Sequence, residues 1–319
     1  MATTATLIQP KATSKQQVGD KVAHLITLIF AATVVLVAVI LVFELWWQSA
    51  ATRQKLGWGF LFSSNWNPVT GEFGALPFIY GTVVISVLAL AISVPLGVGA
   101  AIFLSELAPA GISSALTFLV ELLAAIPSVI YGLLAIFTLV PLMRSYGEPF
   151  LKSTLGFLPF FQGPAYGVGF LTAGLILAVM TFPFIISVSR ESLLAVPREQ
   201  REAALSLGAT KWESTWQVVV PYAKLGIVGS IFLALARALG ETMAVTMVIG
   251  NDPSIHTSLF APGYSIAAVI ANEFSEATGT LYPAALVELG LVLFCLTIVM
   301  NGLARLLIIA TTRKGSKRL

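Results

Sequence analysis

Hydrophobic residues form six long apolar runs along the chain, separated by shorter polar segments. The runs cover residues 22–47, 77–105, 113–142, 167–189, 222–250 and 283–310. Each run has roughly 20 or more residues, the length that a helix needs to cross a hydrocarbon layer about 30 Å thick. Backbone groups in lipid must be hydrogen-bonded within their own segment, so such runs predict helices. The pattern predicts an all-α, polytopic membrane protein with six transmembrane helices.

Composition supports this prediction and limits the kinds of functional site that the chain can contain. The 319 residues are 57% hydrophobic and 10% charged, which excludes a water-soluble globule with an ordinary surface. The single cysteine, Cys295, excludes an intrachain disulfide, and His24 and His256 have no further ligands patterned nearby, so no metal site is predicted. The sequence contains no HExxH, GxSxG or Walker A motif, so no enzyme activity and no cofactor is expected in this chain.

Lysine and arginine predict the orientation. With the N-terminus in the cytoplasm, thirteen of the 18 Lys and Arg residues lie inside, four lie outside, and Arg237 lies within a span. The positive-inside rule therefore places both termini in the cytoplasm. Residues 1–20 are predicted to be a disordered cytoplasmic tail, 21–75 the first helix with a periplasmic loop, and 311–319 a basic cytoplasmic tail. The segments predicted to lie outside are 48–76, 143–166 and 251–282.

The polar segment between the fourth and fifth spans has an unusual pattern. After Pro197, REQREAALSL predicts a short helix that Gly208 ends in a left-handed conformation. Thr210 and Glu213 match a capping box, so a second helix follows at once, and Pro221 begins the fifth span. One face of this second helix carries Trp212, Trp216, Val219 and Val220. The prediction is a helix–glycine–helix elbow on the cytoplasmic side; the alternative is an amphipathic connector resting on lipid headgroups.

The fifth span contains two charged residues, Arg237 and Glu241, spaced four apart and therefore predicted on one helical face. A charge at the bilayer centre costs about 2.5–3.5 kcal/mol, so the pair needs a protein-lined or water-filled environment. Ala236, Gly240 and Ala244 form a stripe of small residues that lets another helix approach.

This pair suggests an anion path. A guanidinium presents a planar fork of donors that matches phosphate oxygens. A carboxylate can accept a hydrogen bond from hydrogenphosphate, which carries a proton that sulfate lacks. The alternative is that Arg237 and Glu241 only neutralise each other or lock helices together.

Other residues within the spans have two interpretations. Glu121 and Glu288 either line the same path or contact a partner helix or the interface. Proline falls within three of the apolar runs, at Pro95, Pro127 and Pro183. A break at Pro127 would shape a cavity; the alternative is that these prolines only kink their helices.

The elbow resembles the EAA loop of the permeases of ATP-binding-cassette (ABC) importers. The family pattern is EAA-x3-G-x9-I-x-L-P, and this chain has Val218 and Val220 in place of the Ile and Leu. In that family the loop docks into a groove of the ATPase subunit. The resemblance implies that the ATPase-coupling residues are Glu202, Ala203, Ala204, Gly208, Trp212 and Pro221.

A longer resemblance covers nearly everything after residue 75. The stretches VELLAAIPSVIYG, GPAYGVGFLTAG, VPREQREAALSLGATKWE and ALARALGETMAVTMVIGN are similar to the PstC family of permeases in bacterial phosphate (Pst) importers. This longer resemblance implies the type I ABC importer permease fold over 76–310 and a location in the bacterial inner membrane. The implied partners are a PstA-like permease, a PstB-like ATPase dimer that binds ATP and Mg, and a PstS-like periplasmic phosphate-binding protein.

The expected function is thus the permease subunit of an ATP-driven phosphate importer, with Arg237 and Glu241 on the substrate path. Alternatives are a permease for another oxyanion, the sister PstA-type subunit, and a proton-coupled secondary transporter. The last usually has more spans with internal repeats.

Overall fold

The computed structural model describes residues 14–315, and the side chains of residues 21–306. Most of the N-terminal segment predicted to be a tail, and residues 316–319 of the C-terminal one, lie outside the described residues. The chain divides into two compact units, one ending at Gln48 and one beginning at Ser49. The first unit contains helix α1, Ser14–Gln48, which begins earlier than the predicted residue 22.

The second unit is also helical, and its described residues add only two isolated β-bridges. Its helices are α2 (Ala50–Leu56), α3 (Gly59–Phe62), α4 (Leu76–Leu107), α5 (Ala110–Ala125), α6 (Ser128–Leu155), α7 (Phe170–Leu194), α8 (Arg198–Ser206), α9 (Lys211–Gly240), α10 (Met243–Val248), α11 (Ile266–Glu273) and α12 (Leu281–Gly315). Six helices in the described part of the chain, namely α1, α4, α6, α7, α9 and α12, are long and apolar enough to cross a membrane. The predicted number of spans is confirmed.

The third predicted span, 113–142, is wrong in its boundaries. Helix α5 stops before Ile126, whose ψ of 127° is extended, and α6 begins after Pro127. Proline disfavours the helical conformation of the residue before it, which explains the break. The carbonyl of Leu123 accepts hydrogen bonds from the Ile126 amide at 3.3 Å and from the Tyr131 hydroxyl at 2.8 Å. The Tyr131 side chain therefore satisfies a carbonyl group at the end of α5, next to the break.

Proline does not break the helices at the other two positions. Pro95 lies inside the uninterrupted helix α4, and Pro183 lies inside the uninterrupted helix α7. Of the three prolines, only Pro127 therefore marks a break.

The fifth predicted span, 222–250, also differs at both ends. Helix α9 runs without interruption from Lys211 to Gly240, so Pro221 lies inside a helix rather than at its start. A π-helical turn over Thr215–Val219 precedes Pro221 and accommodates the missing amide proton. At the other end the helix stops before Glu241, and the short helix α10 follows.

The core is built where these elements meet. Helices α4 and α7 pack along each other, α9 packs on α7, and α10 packs on the first turns of α6. The contact between α10 and α6 is so close that a Cβ atom on Gly132 would lie 3.1 Å from the Cα atom of Ala244. The helix break after Gly240 and the helix break at Pro127 are therefore joined through one buried cluster, which includes Tyr131, Ala135, Ala238, Ala244 and Val245.

Polar side chains tie the loops together at the end of the spans where α4 and α12 begin. The carboxylate of Glu273 accepts hydrogen bonds from the Trp66 indole at 2.9 Å and from the Tyr282 hydroxyl at 2.6 Å. Glu288 forms an ion pair with Arg53 of α2 at 2.9 Å. Of the two interpretations of Glu288, the structure shows the contact with a neighbouring helix.

Candidate functional site

The elbow predicted between the fourth and fifth spans is present, and its first half ends at a glycine-dependent cap. Helix α8 is followed by Leu207 and then by Gly208, whose φ of +89° is left-handed. The amide of Gly208 donates to the Leu205 carbonyl at 3.0 Å, and the amide of Ala209 donates to the Ala204 carbonyl at 3.2 Å. These two bonds form a Schellman motif, which uses glycine at this position.

The second half of the elbow begins with the predicted capping box. The Thr210 hydroxyl accepts from the Glu213 amide at 3.2 Å, while the Glu213 carboxylate accepts from the Thr210 amide at 2.8 Å. This prediction is confirmed. Because α9 begins at Lys211 and continues to Gly240, the second half of the elbow and the fifth span belong to one continuous helix.

The elbow presents apolar side chains outward. Leu207 is 90% exposed and Trp212 is 55% exposed, and Trp212 packs edge-on against the half-exposed Trp216 with ring centroids 5.6 Å apart. Val219, predicted on the same helical face as the two tryptophans, is buried in the core. The apolar face of this helix therefore runs from the core to the exposed tryptophans. Exposed aromatic and leucine side chains in a polar segment are typical of a docking surface.

A partly buried ion pair that the sequence did not reveal connects α8 to the end of α4. The Arg201 guanidinium contacts Glu106 at the end of α4 in a two-pronged geometry, with Nε–Oε2 at 3.1 Å and Nη2–Oε1 at 2.8 Å. Nη2 also donates to the Leu193 carbonyl at 2.7 Å, and Nη1 donates to the Val196 carbonyl. One side chain thus connects the elbow to the ends of two spans. The only signal in the sequence was an arginine directly before the EAA residues.

Arg237 lies near the end of α9, beside the break. Its guanidinium carbon is 4.6 Å from the centroid of the Phe184 ring of α7, a cation–π contact. Its Nε atom is buried and, within the described residues, has no hydrogen-bond partner. A buried donor without a partner costs about 1–3 kcal/mol, so the desolvation of this nitrogen is not compensated by a hydrogen bond.

Glu241 does not lie on the same helical face as Arg237, and that expectation is wrong. The helix ends at Gly240, and Glu241 is extended with a ψ of 128°. Its side chain is 8% exposed and accepts from the amide of Ala244 at 3.4 Å, so it caps α10. In the described part of the chain Arg237 and Glu241 form no ion pair within 4.0 Å.

The predicted stripe of small residues is likewise divided by the break. Ala236 and Gly240 are exposed on α9, whereas Ala244 is buried on α10 against Gly132. The exposed part continues along α9 through Leu225 and Leu233. This face is apolar, with small residues at the break.

The architecture defines the class of protein. A family model described as "Binding-protein-dependent transport system inner membrane component" matches residues 93–311. The chain belongs to this family. It therefore is a multi-pass membrane protein, and its EAA loop fits the family.

The curated relatives narrow the class to the PstC proteins. The chain is 45% identical to "Phosphate transport system permease protein PstC" of Xylella fastidiosa (strain Temecula1 / ATCC 700964), over 98% of this chain and 99% of the relative. It is 50% identical to the PstC protein of Mesorhizobium japonicum over 81% of this chain and 80% of that relative. Within the larger family, the chain belongs with the PstC permease proteins.

Solved structures support the fold. A bacterial ABC transporter involved in the import of the acidic polysaccharide alginate matches with a TM-score of 0.54 and 18% identity, over 92% of this chain and 99% of that chain. An inward-facing form of the MetNI methionine ABC transporter matches with a TM-score of 0.50 and 17% identity, over 72% of this chain and 93% of that chain. The fold is that of type I ABC importer permeases.

The Arg201 contacts generate a prediction. Arg201→Ala removes the anchor and leaves Glu106 partly buried without its partner, which is strongly destabilising for the elements involved. We expect the backbone amides of α8 to exchange hydrogen about tenfold or more faster, because local opening then costs less free energy. Hydrogen exchange of the full chain in nanodiscs, read by mass spectrometry, measures this.

The matched control is Arg198→Ala, which removes an exposed arginine from the same helix. It should leave exchange within α8 unchanged to within a factor of about 2, as expected for a surface position. Equal exchange in the two variants would show that Arg201 does not anchor the elbow.

Proposed function

We propose that this chain is the permease subunit of an ATP-driven importer that moves inorganic phosphate into the cytoplasm. The observation that carries the proposal is the end-to-end similarity to PstC proteins, combined with a partnerless buried guanidinium nitrogen beside a broken membrane helix. We expect the chain in the bacterial inner membrane with both termini in the cytoplasm, as the distribution of Lys and Arg favours.

The proposed transporter has further subunits. A PstA-like permease would pack against the exposed face of α9, which carries Leu225, Leu233, Ala236 and Gly240. A PstB-like ATPase dimer would bind ATP and Mg and would receive the elbow. A PstS-like binding protein would deliver phosphate to the opposite end of the spans. The loops tied together by Glu273 and by the Arg53–Glu288 pair would give that protein a firm surface.

The substrate path is proposed to pass the break between α9 and α10. Non-helical backbone at membrane depth is tolerated only where protein buries it or water lines it. Arg237 would attract the anion through its free donors while Phe184 holds the guanidinium plane. Glu241, which caps α10, would exchange that weak contact for a hydrogen bond donated by hydrogenphosphate.

Coupling is proposed to run through the elbow. The outward surface of the elbow is formed or flanked by Glu202, Ala203, Ala204, Gly208 and Trp212. Pro221 lies where α9 leaves the elbow. Displacement of the elbow by the ATPase would move α9 directly, because the second half of the elbow is the beginning of α9. The same displacement would pull α4 and α7 through Arg201.

The Schellman cap provides a test of coupling. A Cβ atom on Gly208 would meet nothing within 4 Å, so Gly208→Val acts only through its backbone conformation. That strain is about 1–2 kcal/mol, enough to shift the angle of the elbow. We expect ATP-driven phosphate uptake by the reconstituted transporter to fall several-fold while the chain stays in the membrane.

The control is Gly208→Asn, because asparagine tolerates the left-handed conformation, and it should retain most of the uptake. Co-purification of the ATPase is measured in parallel. Normal uptake by Gly208→Val would contradict the docking role of the elbow.

Arg237 provides the test of the path. Arg237→Gln should lower uptake about 10- to 100-fold, the loss expected for a hydrogen bond to a charged group worth about 1.5–3 kcal/mol. Arg237→Lys keeps the charge but loses the planar fork, so it should retain partial uptake if attraction dominates. Uptake is measured with the binding protein saturated, beside a quantitative pull-down of the complex.

A structural role would give a different result. If Arg237 and Glu241 matter only as buried charges, the double variant Arg237→Met, Glu241→Met leaves neither unpaired and restores assembly and uptake together. We expect assembly without uptake. Full uptake by the double variant would refute the path hypothesis.

A further inference from the structure

Phe184 of α7 is the partner that the structure gives to Arg237. The guanidinium carbon lies 4.6 Å from the centroid of the ring, within the distance at which an aromatic face attracts a cation. Both side chains are half-buried. In the described part of the chain no carboxylate lies within 4.0 Å of this guanidinium. A neutral ring thus takes the place that a carboxylate usually has beside an arginine within a membrane.

The difference between a ring and a carboxylate decides the charge beside the break. A carboxylate would cancel the positive charge of Arg237, and a two-pronged ion pair would occupy its donors. The face of a phenyl ring attracts the cation through its quadrupole and carries no net charge. The contact with Phe184 therefore holds the guanidinium in place and keeps its positive charge, which a path for an anion requires.

The interface between α7 and α9 brings these two side chains opposite each other through a series of contacts. Nearest the elbow, a Cβ atom on Gly226 would lie 2.4 Å from the Cβ atom of Ser192, so the two helices are very close there. One turn further along, the buried hydroxyl groups of Ser189 and Ser230 are hydrogen-bonded at 2.8 Å. The contact between the guanidinium and the ring comes last, beside the break.

These contacts fix the register of the two helices. If α9 slid along α7, the buried hydroxyl pair would lose its hydrogen bond, and buried polar groups without partners are costly. Helix α7 is also held on its other side, because a Cβ atom on Gly97 of α4 would lie 2.7 Å from the Cγ2 atom of Ile185. Phe184 is the neighbour of this fully buried isoleucine. Its ring is therefore presented to Arg237 by a helix that is packed on two sides.

We propose that Phe184 is a positioning residue of the anion path, a role that rests on the proposed function. Its ring holds the Arg237 guanidinium beside the break without neutralising it, so that a positive charge faces the passing phosphate. Phe184 itself does not bind the anion and acts only through the arginine. Transport should therefore depend on how strongly the ring attracts a cation, and not only on the volume of the side chain.

Fluorination of the ring separates this role from a role in packing. Monofluorinated, difluorinated and trifluorinated phenylalanine are incorporated in place of Phe184, and the chain is reconstituted with its partner subunits. Fluorine withdraws electron density from the ring face and weakens its attraction for a cation, while the ring keeps nearly the same shape. We expect the rate of ATP-driven phosphate uptake to fall with each added fluorine, by about three- to tenfold over the series.

Two comparisons assign the effect to the face of this ring. The same series is placed at Phe182, which is also on α7 and has no cation–π contact in the described part of the chain. It should leave uptake unchanged to within a factor of about 2. Phe184→Tyr keeps an aromatic face and should retain most of the uptake, whereas Phe184→Leu should lower it at least as much as the trifluorinated ring. A quantitative pull-down measures assembly of each complex.

Fluorine NMR tests the contact itself without transport. The full chain carrying monofluorinated Phe184 is placed in nanodiscs, without partners or ATP. Arg237→Gln should shift the fluorine resonance, because the cation beside the ring is lost. Arg198→Gln, which removes an exposed arginine from α8, is the matched control and should leave the resonance in place.

The results separate this inference from the proposed function. Uptake that stays constant or rises along the fluorinated series would overturn the positioning role and leave phosphate transport intact. A resonance that does not respond to Arg237→Gln would overturn it as well, because the ring would then not face the guanidinium. Failure of the unmodified transporter to take up phosphate would instead refute the proposed function, and this inference with it.

Discussion

Backbone hydrogen bonding in an apolar surrounding is the constraint on which the rest of the structure depends. It requires the spans to be helices, and every departure from helical geometry must find its own partners. The described spans are interrupted at Ile126–Pro127 and at Glu241–Thr242, and in both places side chains satisfy freed groups. The Thr242 hydroxyl also donates to the Gly240 carbonyl at 3.3 Å. The two breaks are joined by α10 on α6, which concentrates the irregular backbone in one place beside Arg237.

The same constraint explains how a charged elbow can act on an apolar bundle. The partly buried guanidinium of Arg201 is paired with a carboxylate and two carbonyl groups, which lie at or just beyond the ends of spans. The elbow cannot move without either moving these partners or losing its contacts with them. Helix α9 also runs unbroken from the second half of the elbow to Gly240. A displacement of the elbow would therefore act on the spans both through α9 and through the partners of Arg201.

Local patterns predicted much of this molecule. The number of spans followed from the lengths of apolar runs, and the glycine stop and the capping box followed from residues three or four positions apart. Hydropathy could not locate the breaks, since α10 is as apolar as α9 and α5 is as apolar as α6. The run 113–142 therefore merged two helices. The Glu106–Arg201 pair joins residues 95 positions apart, so it leaves no local signal in the sequence.

We propose that this chain forms half of a transmembrane path and does not transport by itself. Phosphate uptake into proteoliposomes tests it most directly, with the chain alone under a proton gradient compared with the chain assembled with its sister permease, ATPase and binding protein. The account predicts no uptake by the chain alone and uptake by the complex that requires ATP inside. Uptake by the isolated chain driven by the proton gradient would contradict it.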